Sequence, residues 1–187
     1  MIQSKEDLRR YIREDNAPYL SQMKWGGLVD RILCNEKYFI YRFKVHLRKV
    51  EYYRNVRHGV LGKALYLYHF LRYKRLSWKL KLVIFPNTVG PGLHFYHIGS
   101  FIHIGKHCRI GSNFTFPGGV LLGAGKGGVC QVTVGDNCYM GLNTTVLGKV
   151  NIGNNVTIGA HSLVLDDIPD NCVAVGAPAR VIKHKTE

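Results

Sequence analysis

Acidic residues are scarce in this chain: 12 Asp and Glu stand against 26 Lys and Arg in 187 residues, a formal charge of +14. No stretch approaches the roughly 18 consecutive apolar residues that a membrane-spanning helix needs. Met1-Ile2-Gln3-Ser4-Lys5-Glu6-Asp7 opens with mixed charge, not with the apolar core of a secretion signal, so a cytoplasmic location is expected. Cysteine is sparse and unpatterned. Cys34, Cys108, Cys130, Cys138 and Cys172 are odd in number and contain no C-x-x-C, which argues against a disulfide framework and a zinc ribbon.

What is present divides unevenly. Residues 1–90 hold 19 Lys and Arg against 7 Asp and Glu, with 15 of the 21 aromatic residues; residues 91–187 hold 7 against 5. Two halves this different imply two structural units: a basic, aromatic helical region over 1–82 and a second unit over 83–177, followed by a basic tail over 178–187.

The second half repeats every six residues. From Ile98 the column reads Ile98, Ile104, Ile110, Phe116, Leu122, Gly128, Val134, Met140, Val146, Ile152, Ile158 and Val164, eleven of twelve apolar. Glycine follows the column residue at eight of the twelve positions. Each hexad supplies one short strand, and three hexads close a triangular coil of about eighteen residues. Residues eighteen apart should then stack: Ile98 on Phe116, Val134 on Ile152, Met140 on Ile158 and Val146 on Val164. Cys108 and Cys138 fall in an inward column as core packing. The fold class expected is α+β, an N-terminal α-helical segment followed by a left-handed parallel β-helix of hexapeptide repeats.

Residues 123–133 break the pattern, with glycine and lysine where apolar groups are needed, and should protrude as a loop. It is not a phosphate-binding loop, because Val120 and Gly127 occupy positions that require glycine and Ser/Thr.

The first half reads as four helices. Ser4 caps the first. A second runs from near Gly27 to Cys34, a third from Asn35 to about Arg54, and a fourth from Leu61 to about Leu80, with Pro86 ending helix. Their basic residues, among them Lys44, Arg48 and Lys49, read as a solvated face whose aromatics pack on the β-helix or a second subunit. The alternative is docking on an anionic membrane surface. Basic charge alone is weak evidence for nucleic acid, and none is expected as partner.

The run Phe85-Pro86-Asn87-Thr88-Val89-Gly90-Pro91-Gly92-Leu93-His94-Phe95-Tyr96-His97, the hexads, the glycine-rich loop and Val175-Gly176-Ala177-Pro178-Ala179-Arg180-Val181-Ile182 resemble the serine acetyltransferase family. They look closest to its relatives in polysaccharide biosynthesis clusters. The resemblance spans roughly residues 83–183. It implies an acetyl-CoA-dependent O-acetyltransferase, a homotrimer or a dimer of trimers, with acetyl-CoA in the groove between neighbouring β-helices. His97 falls on the family's catalytic histidine, the general base that takes the acceptor's hydroxyl proton. Gly141, Leu142, Ala160, Lys126, Arg180 and Lys183 fall along the CoA groove. No metal is implied: His94, His97, His103 and His107 cluster in sequence but form no spaced ligand set.

Three positions depart from that family. Val83 stands where an aspartate supports the histidine, Tyr96 where an aspartate meets the serine ammonium, and Cys130-Gln131 where an Arg-His pair meets the carboxylate. A zwitterion needs charged partners when it loses water. A sugar hydroxyl on a glycan is therefore the favoured acceptor, met by Tyr96, Phe95 and Gln131, with L-serine as the alternative. Competing readings are a catalytically inactive β-helix scaffold, a β-helical carbonic anhydrase relative, and an N-acetyltransferase of amino-sugar nucleotides.

Overall fold

The computed structural model describes residues 1–21 and 28–185. Four helices come first: α1 (Lys5–Leu20), α2 (Leu28–Ile32), α3 (Glu36–Asn55) and α4 (Val60–Leu80). Ser4 caps α1 by accepting from the Asp7 N–H, and the Asp7 carboxylate accepts in turn from Gln3. Asn35 caps α3 through Lys37. The expected start of the second helix at Gly27 lies outside the described residues.

Among the described residues, fourteen short strands follow. One face of a prism is β1 (Leu82–Ile84), β3 (Ile102–Ile104), β6 (Leu121–Gly123), β9 (Thr145–Leu147) and β12 (Leu163–Val164), in that spatial order. A second is β4 (Arg109–Ile110), β7 (Gln131–Val134) and β10 (Lys149–Ile152). The third is β2 (His94–Phe95), β5 (Thr115–Phe116), β8 (Tyr139–Met140), β11 (Thr157–Ile158), β13 (Cys172–Gly176) and β14 (Ala179–His184). All ladders are parallel except β13–β14, which turns back and closes the C-terminal end. The result is a β-solenoid of about five turns behind an N-terminal helical segment. Alternate residues of each strand point inward, so Ile102, Ile104, Phe114, Phe116, Val146, Val156 and Val164 are fully buried. Each such side chain contributes about 1.5–3 kcal/mol.

Three of the four expected stacks are present: Val134 on Ile152, Met140 on Ile158 and Val146 on Val164. The fourth is not. Phe116 pairs with Phe95, twenty-one residues before it, and their rings stack at 5.4 Å. Three extra residues lie between the inward Phe95 and Ile104, compared with the six-residue step from Phe116 to Leu122, and this longer corner carries His97 and Ile98. The expected loop is also shorter. Gly123 and Gln131–Val134 are strand, which leaves 124–130 as the protrusion. It adds six residues, because Leu121 pairs with Thr145 and Arg109 with Thr133, each twenty-four apart. An insertion one hexad long leaves the phase of the repeat unchanged.

The helices close the N-terminal end of the prism, where Ile40, Phe43, Leu47, Val50, Tyr73 and Leu80 join the solenoid core. A solenoid end needs such a cover. Here the reading of a solvated basic face is corrected at two residues, since Lys44 is 4% exposed and Arg48 fully buried, whereas Arg54, Arg57, Arg72, Lys74 and Arg75 are exposed. Lys44 donates to the carbonyls of Asp15 and Leu93. Arg48 binds two carboxylates and two solenoid carbonyls. Burial lowers Lys44 to about 8.

His46 and His69 form a second buried polar contact, with their Nδ1 atoms 2.9 Å apart between α3 and α4. Burial pushes His46 down to about 3, helped by His69 and the nearby Arg42, Arg72 and Lys49; burial and Lys49 push His69 to about 4. Both values lie below the ordinary 6.5, so the unfolded chain binds more protons as pH drops through 6.5, and the folded state loses stability across the window from 6.5 down to 3–4. We expect the urea midpoint to fall steadily between pH 7 and pH 4.5, and to fall less in a His46→Gln, His69→Gln double variant. Identical slopes in the two proteins would overturn this account.

Candidate active site

His97 sits on the lengthened corner between β2 and β3. Its backbone N–H donates to the Pro117 carbonyl at 2.9 Å, and Gly99 (φ +95°) supplies the left-handed turn that follows. The side chain is 67% exposed, and its Nδ1 lies 3.5 Å from Glu36 Oε2. Glu36 is the first residue of α3, and its other oxygen accepts from the Ile98 N–H. One carboxylate thus holds both the backbone beside His97 and one edge of its ring. With the proton on Nδ1, Nε2 presents a free lone pair.

Val83, as expected, gives His97 no acidic partner: it pairs with His103 on another face. The carboxylate comes instead from a helix sixty-one residues upstream. Sequence reasoning missed Glu36 because no motif links it to His97.

Beside the ring lies a cavity of about 440 Å³ between α1, α3 and the β2 corner, with Tyr19, Glu36, Lys44, Phe95, Tyr96 and His97 on its wall. Tyr96 is 49% exposed there, whereas Phe95 is buried and packs edge-on against Phe43. Of the acceptor residues expected from sequence, Tyr96 and Phe95 therefore adjoin His97. Gln131 does not: it lies in a separate groove with Cys130 and Arg109.

The same prism edge that bears His97 continues through successive coils as Gly118, then Gly141 and Leu142, then Gly159 and Ala160. The His97 and Pro117 corners are joined by a hydrogen bond, as are Asn143 and Gly118, and His161 and Leu142. A Cβ on Gly118 would stand 3.0 Å from Ser100 Oγ and 3.5 Å from the His97 carbonyl. A Cβ on Gly141 would come within 2.3 Å of the Ala160 nitrogen, so the close stacking of these coils requires glycine there. Leu142 and Ala160 are exposed on the ledge this forms. Three of the expected CoA contacts thus share one edge with His97.

Lys126 does not share it. The 124–130 loop leaves the neighbouring edge, between β6 and β7, and is folded on itself by Gly125 donating to Val129 and Gly128 to Gly125. Arg180 on β14 is exposed and paired with Asp166 at 2.8 Å; Lys183 is exposed further along the same strand. The four neighbouring histidines diverge: His94 bonds the Glu14 carbonyl, and His103 stacks on Phe101. Cys108 lies 3.8 Å from Cys130, and burial raises its thiol to about 12, which makes it a poor nucleophile.

Fold and edge together define a hexapeptide-repeat β-solenoid, and the family model for the hexapeptide repeat of succinyl-transferase matches residues 131–165. More particularly, the chain is similar to serine acetyltransferases. A serine acetyltransferase of Staphylococcus xylosus is 40% identical over 98 residues, 51% of this chain and 45% of that protein. The match covers less than half the length of such curated relatives. Soybean serine acetyltransferase superposes with a TM-score of 0.70 at 26% identity, over 95% of this chain and 70% of that one, and has also been solved complexed with serine. Serine acetyltransferase from Brucella abortus, solved with coenzyme A, superposes at 0.67 with 20% identity, over 97% and 68%.

Proposed function

We propose that the chain is an acetyl-CoA-dependent O-acetyltransferase in which His97 acts as general base. The observation that carries this reading is His97, held by Glu36 on an exposed corner at the head of the Gly118–Leu142–Ala160 ledge. Acetyl-CoA is the second substrate and supplies the acyl group as a thioester. His97 Nε2 takes the acceptor's hydroxyl proton as that oxygen attacks the carbonyl. The same proton returns to the departing sulfur, which leaves as the thiol, and an O-acetyl ester is formed. Backbone and side chains on the ledge, with Arg180 and Lys183 beyond it, bind the pantetheine and phosphates. Because the loop bearing Lys126 and the strand bearing Gln131 start from the next edge, they reach His97 only from a second subunit. That is the physical case for a ring of three chains with one site at each junction.

L-Serine is the acceptor this arrangement supports best. The preference for a sugar rested on a lack of charged partners, but Glu36 places a carboxylate in the cavity beside His97, where an ammonium would be met. The relatives named serine acetyltransferase point the same way. A glycan hydroxyl is the second reading, favoured by the half-exposed Tyr96 ring next to the base.

Thiol release from acetyl-CoA, measured with L-serine, free sugars, nucleotide sugars and an oligomeric glycan, separates the two. Turnover is expected with serine. Turnover confined to a glycan would replace the serine reading, and absence of both turnover and CoA binding would leave the chain a scaffold.

A further inference from the structure

Helix α4 carries an outer face that the described fold leaves uncovered. Val60 (89% exposed), Leu67 (55%), Leu71 (54%) and Trp78 (86%) recur at helical spacing along it, and Leu61 and Tyr68 widen the stripe on one side. The opposite face, with Gly62, His69, Tyr73, Ser77 and Leu80, is buried against α3 and the solenoid. The helix therefore has two apolar faces, and the fold uses one. Single exposed apolar side chains are ordinary, but a row of them about 27 Å long, interrupted between Leu71 and Trp78 by Lys74 and Arg75, marks a contact surface.

Charge identifies the contact. Lys63 and Lys74 border the stripe on one side, and Arg72, Arg75 and Lys79 on the other, all exposed. Helix α4 contains no Asp or Glu. Among the described residues, none of these five cations forms an ion pair with a carboxylate. Lys74 also borders a groove of about 970 Å³ whose wall includes Arg54, Lys106, Arg109 and Lys149 and, among the described residues, no carboxylate, so the positive field continues from the helix onto the solenoid.

We propose that this face of α4 lies in the headgroup layer of an anionic lipid membrane. The Val60–Trp78 stripe inserts into the acyl boundary, and the flanking cations meet lipid phosphates. Trp78, with its amphipathic ring, suits the boundary itself. The helix lies on the surface and does not cross it: among the described residues no helix is long and apolar enough to span a bilayer. A second copy of the chain is a poor occupant, since a two-fold contact would set five cations against five. Nucleic acid would use the cations and leave the apolar stripe idle.

The test is cosedimentation of the full chain with vesicles of phosphatidylcholine alone, or of phosphatidylcholine with about a third phosphatidylglycerol. The wild type should partition onto anionic vesicles at least tenfold better than onto neutral ones. A Leu67→Ser, Leu71→Ser, Trp78→Ser variant and a Lys63→Glu, Arg75→Glu variant should each lose at least tenfold, with thermal midpoint and thiol release from acetyl-CoA unchanged. Wild-type protein left in the supernatant with both vesicle types would overturn the proposal. So would binding by the serine variant equal to wild type, which would mean charge alone acts. A change in the serine variant's oligomeric state without vesicle binding by the wild type would reassign the face to a second copy.

Discussion

His97→Ala is expected to lower kcat for acetyl transfer by about 10²–10⁴-fold, the range a positioned general base contributes, with the KM for acetyl-CoA within a few-fold of wild type. The split follows from the geometry. His97 stands at the head of the ledge, and Gly118, Leu142 and Ala160, which form its length, do not depend on the imidazole. The side chain is largely exposed and makes no core contact, so the variant should fold with an unchanged thermal midpoint. Glu36→Gln removes the charge but keeps the length, and should cost kcat about tenfold with little change in KM for acetyl-CoA. If Glu36 served the fold alone, the loss would appear in the thermal midpoint and not in kcat. Initial rates of thiol release on the three proteins decide the matter. His97→Ala with wild-type kcat would remove the base from the reaction and with it the central reading of the site.

Much of the solenoid was legible because a hexad puts one residue of each strand inside at a fixed interval. The column from Ile104 to Val164 needs only periodicity to be found. A further column was legible and passed over. Three residues after Ile110, Phe116, Val134, Met140, Ile152, Ile158 and Ile168 the backbone enters the left-handed region, at Asn113, Gly119, Asn137, Asn143, Asn155, His161 and Asn171. Asparagine tolerates that conformation and glycine adopts it freely, so the Asn column marks the corners more directly than the glycines did. Gly111, Gly135 and Gly153 instead permit close approach of adjacent coils, since a Cβ on any of them would meet the next coil's backbone within 3 Å.

Periodicity failed where insertions obeyed or hid it. The 124–130 loop adds one hexad length, so the count runs through Gly128 as though it were in the coil. The His97 corner adds three residues, which moves the true inward position to Phe95 and places Ile98 in the turn. Both failures lie at candidate functional elements, because a side chain or loop leaves a regular solenoid only where the repeat is interrupted. Glu36 was illegible for another reason. Its link to His97 is tertiary, set by how α3 packs on the first coil, and a single sequence carries no record of that approach. The same packing hid the fate of Lys44, Arg48 and Glu51. Their i, i+4, i+7 spacing puts them on one helix face, but only the fold says that this face points inward.

Replacing Arg48 by alanine should destabilise the chain by about 3–5 kcal/mol, the cost of breaking a buried ion pair from one side. Arg48 joins three parts of the molecule. Nε and Nη2 donate to the two Asp15 oxygens on α1 at 2.7 and 3.2 Å, Nη1 donates to Glu51 on α3 at 3.0 Å, and Nη1 and Nη2 donate to the Val89 and Gly90 carbonyls of the first coil at 2.8 and 2.7 Å. The Tyr11 ring lies 4.8 Å from the guanidinium carbon. Its two acids have further duties: Asp15 accepts from the Leu93 N–H and Glu51 from the Asn87 N–H. Alanine would remove every bond the guanidinium donates and leave the Asp15 and Glu51 carboxylates buried without the cation they share. Lysine would restore the charge but not the planar fork, and should recover only part of the loss. An Arg48→Met, Asp15→Asn, Glu51→Gln triple variant removes the buried charges together and should lie closer to wild type than Arg48→Ala does. The pH dependence gives an independent check. Uncompensated buried carboxylates favour their protonated forms in the folded state, so the stability gap between Arg48→Ala and wild type should widen as pH rises from 4 to 7. Urea midpoints for the four proteins across that range measure it. A gap independent of pH would mean that Arg48 acts by packing alone, and that the helical cover is held on the solenoid by its apolar contacts without the charge cluster.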